Sequence, residues 1–252
     1  MIQLKSSQEI QKIREAGKVV ESVFRAMQDA IEPGISTLEL DQIARDVVQK
    51  SGGISPTVGY GEPPFPAATC ISIDEEIVHG IPADDIYLRE GQIVSFDVVV
   101  GLDGWMADAA RTFSVGEISD EKKQLIEVTE ESFWQGLSQA KIGNRVGDIS
   151  YAVQEYAESR GYSVIRELTG HGIGRSMHEA PDVPNFGTKG RGPRLEEGMV
   201  LCIEPMIAVG KRTVVLLDDQ WTIAMKDRKP SAHYENTIAI TSDGPIVLTL
   251  SE

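Results

Sequence analysis

The chain has 252 residues, 41% hydrophobic and 25% charged, a composition that places it with ordinary globular proteins and excludes global disorder. Thirty-nine Asp+Glu against 24 Lys+Arg give a net charge of −15, which argues against general nucleic-acid binding, so no specific nucleic-acid partner is expected. No apolar run approaches the ~20 residues that cross a bilayer, the charged start MIQLKSSQEIQKIREAGK lacks a signal-peptide core, and two cysteines make no disulfide framework; a cytoplasmic protein without a membrane partner is expected.

Residues 7 to 31 carry Ile10, Ile13, Ala16, Val20, Val23, Met27 and Ile31 at spacings of three and four, the pattern of an amphipathic helix. Ser6 or Ser7 caps its start and Pro33-Gly34 ends it. Ser36-Thr-Leu-Glu39 is a capping box that opens a second helix, stopped by Gly52-Gly53. The Gly/Pro-rich stretch 54 to 70 reads as a loop entering a strand. Strands follow over 93 to 100 and 105 to 115, with Asp103-Gly104 as a two-residue hairpin turn. Ser119-Asp120 starts a helix that runs to about Ala140, and Gly147-Asp148 starts another that ends at Gly161. Strand-like segments dominate from about 163 onward, broken by the Gly/Pro-rich stretch 181 to 198.

The second half repeats the plan of the first. Gly34, Leu40 and Gly52 match Gly143, Ile149 and Gly161 at a constant offset of 109 (143 − 34). Leu88-Arg-Glu-Gly91 leading to Asp97 matches Leu195-Glu-Glu-Gly198 leading to Glu204 at an offset of 107 (204 − 97). Two matches in the same order favour a duplicated α/β half. One domain over 1–252 is expected, built from halves of about 1–118 and 119–252.

Asp97 sits inside a strongly apolar strand, where an unpaired carboxylate is costly. With Asp103-Gly104 as the turn, cross-strand partners have numbers summing to 207, so 97 faces 110 and 99 faces 108. Asp97 and Asp108 then project from one face as diagonal neighbours, roughly 7–8 Å apart at the backbone. Two converging buried carboxylates repel unless a proton or a cation lies between them. Glu204 holds the position equivalent to Asp97, and Glu235 in HYENT resembles Asp108 in ADAART. Pseudo-twofold packing of the halves would gather all four, and their summed charge suits two divalent cations holding one water between them. His171, flanked by glycines in GHGIG, can add a nitrogen ligand. His79 in VHGIP and His178 in MHEAP sit beside tight turns, where each could polarise a carbonyl. Cys70 and Cys202 read as buried small hydrophobes, and alternation puts Cys202 on the face of Glu204.

With these residues in view the chain resembles the type I methionine aminopeptidases of the short bacterial form, almost throughout its length. The specific pieces are CISIDEEIVHGIP (70–82), the Asp97/Asp108 hairpin, GHGIGRSMHEAP (170–181), IEPM (203–206) and HYENT (233–237). The resemblance implies an α+β fold of the pita-bread type, two pseudo-symmetric α/β halves around a central antiparallel sheet. It implies that Asp97, Asp108, His171, Glu204 and Glu235 ligate two divalent metal ions, with Asp108 and Glu235 bridging. It implies removal of the initiator methionine from nascent chains with a small second residue, by attack of a hydroxide that bridges the metals. Glu204 would carry the proton to the leaving amine, His178 would meet the carbonyl oxygen, and His79 the scissile amide. Phe65, Cys70, Met177 and Trp221, with His79 and His178, would bind the substrate, and a slot with polarisable walls suits a thioether. The sequence departs from common members of the family around 59 to 65 (GYGEPPF) and at Ser176-Met177, positions that bear on selectivity rather than on the reaction.

Four oxygen donors and one imidazole suit Mn²⁺, Fe²⁺ or Co²⁺ at least as well as Zn²⁺. The expected partners are nascent-chain N-termini, with transient ribosome docking through Lys189, Arg191, Arg194 and Lys226, Arg228, Lys229; a monomer is expected. Two alternatives compete. A proline-specific peptidase of the same fold usually carries a separate N-terminal domain, for which this length leaves no room, and a non-catalytic binding module typically loses ligands, whereas all five stand here.

Overall fold

A computed structural model describes residues 1–250. The first half supplies α1 (Ser7–Asp29), α2 (Thr37–Lys50), β1 (Cys70–Ile73), β2 (Glu76–Val78), β3 (Ile93–Leu102) and β4 (Trp105–Ser114). The second supplies α3 (Asp120–Gln139), α4 (Val146–Glu158), β5 (Ser163–Val164), β6 (Thr169–Gly172), β7 (Glu179–Pro184), β8 (Val200–Ile203) and β9 (Met206–Ala208). It continues through β10 (Val214–Leu216), β11 (Ile223–Met225), β12 (Ser231–His233), β13 (Glu235–Thr241) and β14 (Gly244–Val247). No helix among the described residues is long and apolar enough to cross a membrane.

Local sequence explains the helix starts. Glu9 accepts from the Ser6 backbone N–H at 2.9 Å while Ser6 Oγ accepts from the Glu9 N–H at 3.4 Å, and Ser36 with Glu39 repeats the reciprocal pair. Helix α1 ends two residues short of Ile31, because Ala30 already takes the cap position ahead of Pro33. Helix α4 begins one residue earlier than Gly147-Asp148 suggests. Gly147 sits in its first turn, where a Cβ would collide with the Thr188 carbonyl of the neighbouring loop.

The main sheet runs β1-β3-β4-β13-β8-β6-β7, with β14 added to β13, and all its pairings are antiparallel. The hairpin register is the expected one, Asp97 opposite Ala110 and Val99 opposite Asp108. The halves meet where β4 pairs with β13, Ala110 opposite Glu235 and Ala109 opposite Asn236. That ladder is short, and side chains extend it. The Asp108 N–H donates to Thr237 Oγ1 at 2.9 Å and that hydroxyl donates to the Asp108 carbonyl at 2.8 Å. The half-buried Arg111 guanidinium donates to the carbonyl of Glu235 and to Asn236 Oδ1, stacked 4.2 Å over the Tyr234 ring.

The stretch 181 to 198 does not break the strands at its start, because β7 runs through Pro181 and ends at Pro184. This strand lies at the sheet edge, where a missing N–H costs no ladder bond.

Even-numbered positions of β3 (Val94, Phe96, Val98, Val100) pack with Ala107 and Ala109 of β4 against Ile13, Val20 and Met27 of α1. A second core joins Phe133 of α3 and Ile149 and Val153 of α4 to Leu201, Ile203, Ile238 and Ile240. Full burial of each such side chain contributes about 1.5–3 kcal/mol. The helices thus cover one face of the sheet, and strand alternation sends Asp97, Asp108 and Glu235 to the other.

Candidate metal centre and its cavity

The five nominated donors stand on five neighbouring strands. Asp97 is on β3, Asp108 on β4, Glu235 opens β13, Glu204 directly follows β8, and His171 is on β6, the order in which these strands lie in the sheet. Asp97, Ala110 and Glu235 form one cross-strand row, and the small Ala110 leaves space between the two carboxylates. Glu204 follows Ile203, which pairs with Asn236, so it joins the end of that row.

His171 Nε2 lies 3.5 Å from Glu204 Oε1 and 3.8 Å from Asp108 Oδ2. Its Nδ1 lies 2.9 Å from the Gly172 carbonyl, which can only accept, so the proton is on Nδ1 and Nε2 offers a lone pair to the cavity. Burial pulls the His171 pKa down to about 4, with His178 adding to the shift, so the ring is neutral at pH 7. The carboxylates shift the other way. Burial, reinforced by the others' charges, pushes Asp108, Glu204 and Glu235 well above the ordinary carboxylate range, and burial lifts Asp97 to about 6.

Such a cluster needs a counter-charge. Asp108 Oδ1, Glu235 Oε1 and both ring nitrogens of His233 are buried with no hydrogen-bond partner, an arrangement that costs about 1–3 kcal/mol per group. Donor atoms of Asp108, His171, Cys202 and Glu235 all lie within 4.8 Å of one another. Hard oxygen donors with a neutral imidazole fit a divalent cation. Cys202 is close enough to join, on the face that alternation assigns it, yet burial first and then the Glu235 and Asp108 charges hold its thiol protonated. Asp97 and Glu204 line the cavity and Cys202 does not, which favours the two carboxylates as donors.

Every nominated residue lines one cavity of about 550 Å³. Phe65 and Trp221 meet edge to face at 5.2 Å, and Trp221 Nε1 donates to the Pro63 carbonyl at 2.9 Å. Cys70 packs with them, and the buried Met177 lines the same cavity. His79 holds a left-handed φ of 60°, which turns its ring toward Trp221 at 6.0 Å. Burial and the nearby His178 pull its pKa to about 4. His178 lies at the rim, its ring 4.3 Å from that of His171.

Three residues escape the sequence reading. His233 Nε2 lies 3.9 Å from Glu204 and 4.0 Å from Glu235, and its only sequence signal is its place in the HYENT motif beside Glu235. Tyr60 on the rim bonds His178 at 2.7 Å. Asp41 of α2 is fully buried and accepts from the Ala68 and Thr69 N–H groups and the Thr69 hydroxyl, which pins the chain entering β1.

The shifts fix the pH behaviour of the metal-stripped protein. The carboxylates bind protons more tightly when folded, so stability falls as pH rises from about 4 through their folded values. His79, His171 and His233 (about 4, 4 and 3) bind protons less tightly when folded, so their contribution rises with pH up to about 6.5 and then stops. Above about pH 6.5 the histidine trend has stopped, and the raised carboxylates, joined at higher pH by the raised Cys70 and Cys202 thiols, make stability fall as pH rises. Thermal melts in chelator are expected to show falling stability from pH 7 to 8.5, and melts with Mn²⁺ a much smaller fall. Rising stability in chelator over that interval would contradict the carboxylate shifts.

Residues 11–242 match the model of Metallopeptidase family M24. The chain is 50% identical to the "Methionine aminopeptidase" of Clostridium acetobutylicum over 252 residues, the whole of both chains. It is 47% identical to "Methionine aminopeptidase 1" of Bacillus subtilis over 249 residues, 99% of each. The solved methionine aminopeptidase of Thermotoga maritima superposes with a TM-score of 0.97 at 40% identity, covering 100% of both chains. Prolidase from Pyrococcus furiosus matches with a TM-score of 0.78 over 99% of this chain and 66% of its own, and its 22% identity speaks for the fold alone. The curled antiparallel sheet with helices on its outer face is therefore the pita-bread fold, and the chain belongs to metallopeptidase family M24, among its methionine aminopeptidases of the short bacterial form.

Proposed function

We propose that this protein is a metalloaminopeptidase that removes the initiator methionine from nascent chains whose second residue is small. One observation carries the reading: five donors on five adjacent strands, from both halves, open into the same cavity as an apolar slot. Asp97, Asp108, His171, Glu204 and Glu235 would hold two divalent ions. Divalent ions bound there supply Lewis acidity and activate water at neutral pH. The residues do the rest. Phe65, Cys70, Met177 and Trp221 take the thioether side chain and so place the first peptide bond beside the carboxylates. His178 donates to the carbonyl oxygen as charge develops on it, and His79 contacts the scissile amide. Glu204, at the end of the carboxylate row and beside His171, accepts a proton during attack and returns it to the leaving amine. The exposed basic loop Lys189, Arg191, Arg194 is the part of the surface that would dock on ribosomes.

A peptide series Met-Xaa-Ser, assayed on chelator-treated protein reloaded with Mn²⁺, Fe²⁺, Co²⁺ or Zn²⁺, tests the reading. Cleavage is expected for Xaa of Gly, Ala or Ser, to fall steeply with size, and to vanish without metal. Undiminished turnover after verified metal removal, or preference for an Xaa-Pro dipeptide, would overturn it. The second outcome would favour the proline-specific alternative.

A further inference from the structure

Tyr60 belongs neither to the donor set nor to the buried slot, yet it is tied to His178. Its hydroxyl lies 2.7 Å from His178 Nδ1, and the two rings meet edge-on with centroids 5.4 Å apart. On another side the His178 ring meets His171 at 85°. His178 Nε2 makes no hydrogen bond among the described residues.

The segment that carries Tyr60 is held from both ends. The Thr57 hydroxyl donates to the Ala68 carbonyl at 2.7 Å, and the Gly59 N–H donates to the Phe65 carbonyl at 2.8 Å. The Phe65 N–H donates back to the Tyr60 carbonyl at 2.8 Å. Trp221, from the other half, donates to Pro63. Tyr60 therefore reaches His178 from a braced turn, and the contact spans the cavity mouth between the halves.

A neutral imidazole has one N–H and one lone pair, and which nitrogen keeps the proton is set by the bond the other makes. The phenol is the more acidic partner and the ring nitrogen the more basic, so the favoured arrangement has the Tyr60 O–H donating to Nδ1. That leaves the hydrogen on Nε2, across the ring. The opposite arrangement would leave Nε2 with a lone pair, which repels a carbonyl oxygen that is gaining negative charge.

We propose that Tyr60 is a positioning residue that holds His178 in its Nε2–H tautomer, so that this imidazole can donate to the substrate carbonyl. The proposal rests on the role of His178 given above. It also gives the 59–65 segment a part in turnover beyond shaping selectivity.

Tyr60→Phe tests it, because it keeps the ring contact and removes only the hydroxyl at an exposed site. The chain has four histidines, so long-range ¹H–¹⁵N spectra of the Zn²⁺-loaded protein can resolve each tautomer. The wild type is expected to show His178 with a protonated Nε2 and an acceptor Nδ1. In Tyr60→Phe the two nitrogen shifts should move toward each other as the tautomers exchange. kcat for Met-Ala-Ser should fall about five- to tenfold, with KM and Mn²⁺ affinity within about twofold. An unchanged His178 tautomer, or a kcat within twofold of wild type, overturns the proposal. Should the wild type fail to cleave Met peptides at all, the functional reading falls, and the spectra still decide whether Tyr60 fixes His178.

Discussion

Asp108→Asn is expected to lower peptide turnover by about a thousandfold or more while raising the melting temperature of the metal-free protein. The two effects have one origin. Asp108 is buried between β3 and β13, with one oxygen unpartnered and the other 3.8 Å from His171. Its backbone is strapped on both sides by Thr237, so the side chain cannot swing away from its neighbours. In the metal-free state it is one of four like charges that raise each other's proton affinity. Asparagine keeps the shape, removes a charge, and puts an N–H₂ donor among the remaining buried carboxylates. A gain of about 1–2 kcal/mol follows for the stripped protein. The same change deprives the proposed pair of ions of an anionic oxygen donor, so metal stoichiometry and turnover should collapse together. Melts with and without chelator, plus metal analysis, check both halves. A variant that retains two ions per chain and wild-type turnover would remove Asp108 from the donor set.

The parts of this site that were legible in the sequence are those fixed by short-range chemistry. Asp103-Gly104 set the register of β3 and β4, and with it the shared face of Asp97 and Asp108. The Ser36/Glu39 capping box placed the start of α2 to the residue, whereas Ser6 and Ser7 both remained open as the cap of α1, which the fold gives to Ser6. Internal similarity then carried the argument from Asp97 to Glu204. What stayed hidden depends on contacts far apart in sequence. The β4–β13 seam is only two residue pairs long and is completed by Thr237 and Arg111, whose partners no local pattern reveals. Asp41 looks like an ordinary helix-surface acid until the chain 27 residues later folds its N–H groups onto it. His233 sat within the motif that yielded Glu235. Its place in the site is hidden because the chain changes sheets between the two residues: His233 closes β12 and Glu235 opens β13, so strand alternation does not relate them. Tyr60 lies on an exposed turn outside the motifs that carry the resemblance, and its bond to His178 joins residues 118 positions apart. β7 was missed for a different reason: proline argues against a strand only where the N–H is needed, and edge position is a property of the assembled sheet.

Glu204→Gln should separate proton transfer from ion binding. Glu204 is 8% exposed, and its backbone carbonyl is fixed by Asn185 Nδ2 at 2.8 Å. One carboxylate oxygen faces His171 at 3.5 Å and the other faces His233 at 3.9 Å. In the metal-free protein, burial and the Asp108 and Asp97 charges push its pKa above the ordinary carboxylate range. Glutamine keeps the length and one oxygen donor and cannot accept a proton. Turnover is expected to fall by about 10²–10⁴-fold. KM should stay within a few-fold, because the slot formed by Phe65, Cys70, Met177 and Trp221 is untouched. Ion binding should weaken less than in Asp108→Asn, since Glu204 stands at the end of the carboxylate row whereas Asp108 lies on β4, between the strands that carry Asp97 and Glu235. Saturating Mn²⁺ should therefore restore occupancy without restoring kcat. Recovery of kcat to within tenfold of wild type under those conditions would mean that Glu204 serves the site only as a ligand, and that the proton leaves by another group, with His233, the buried imidazole beside it, the first to examine.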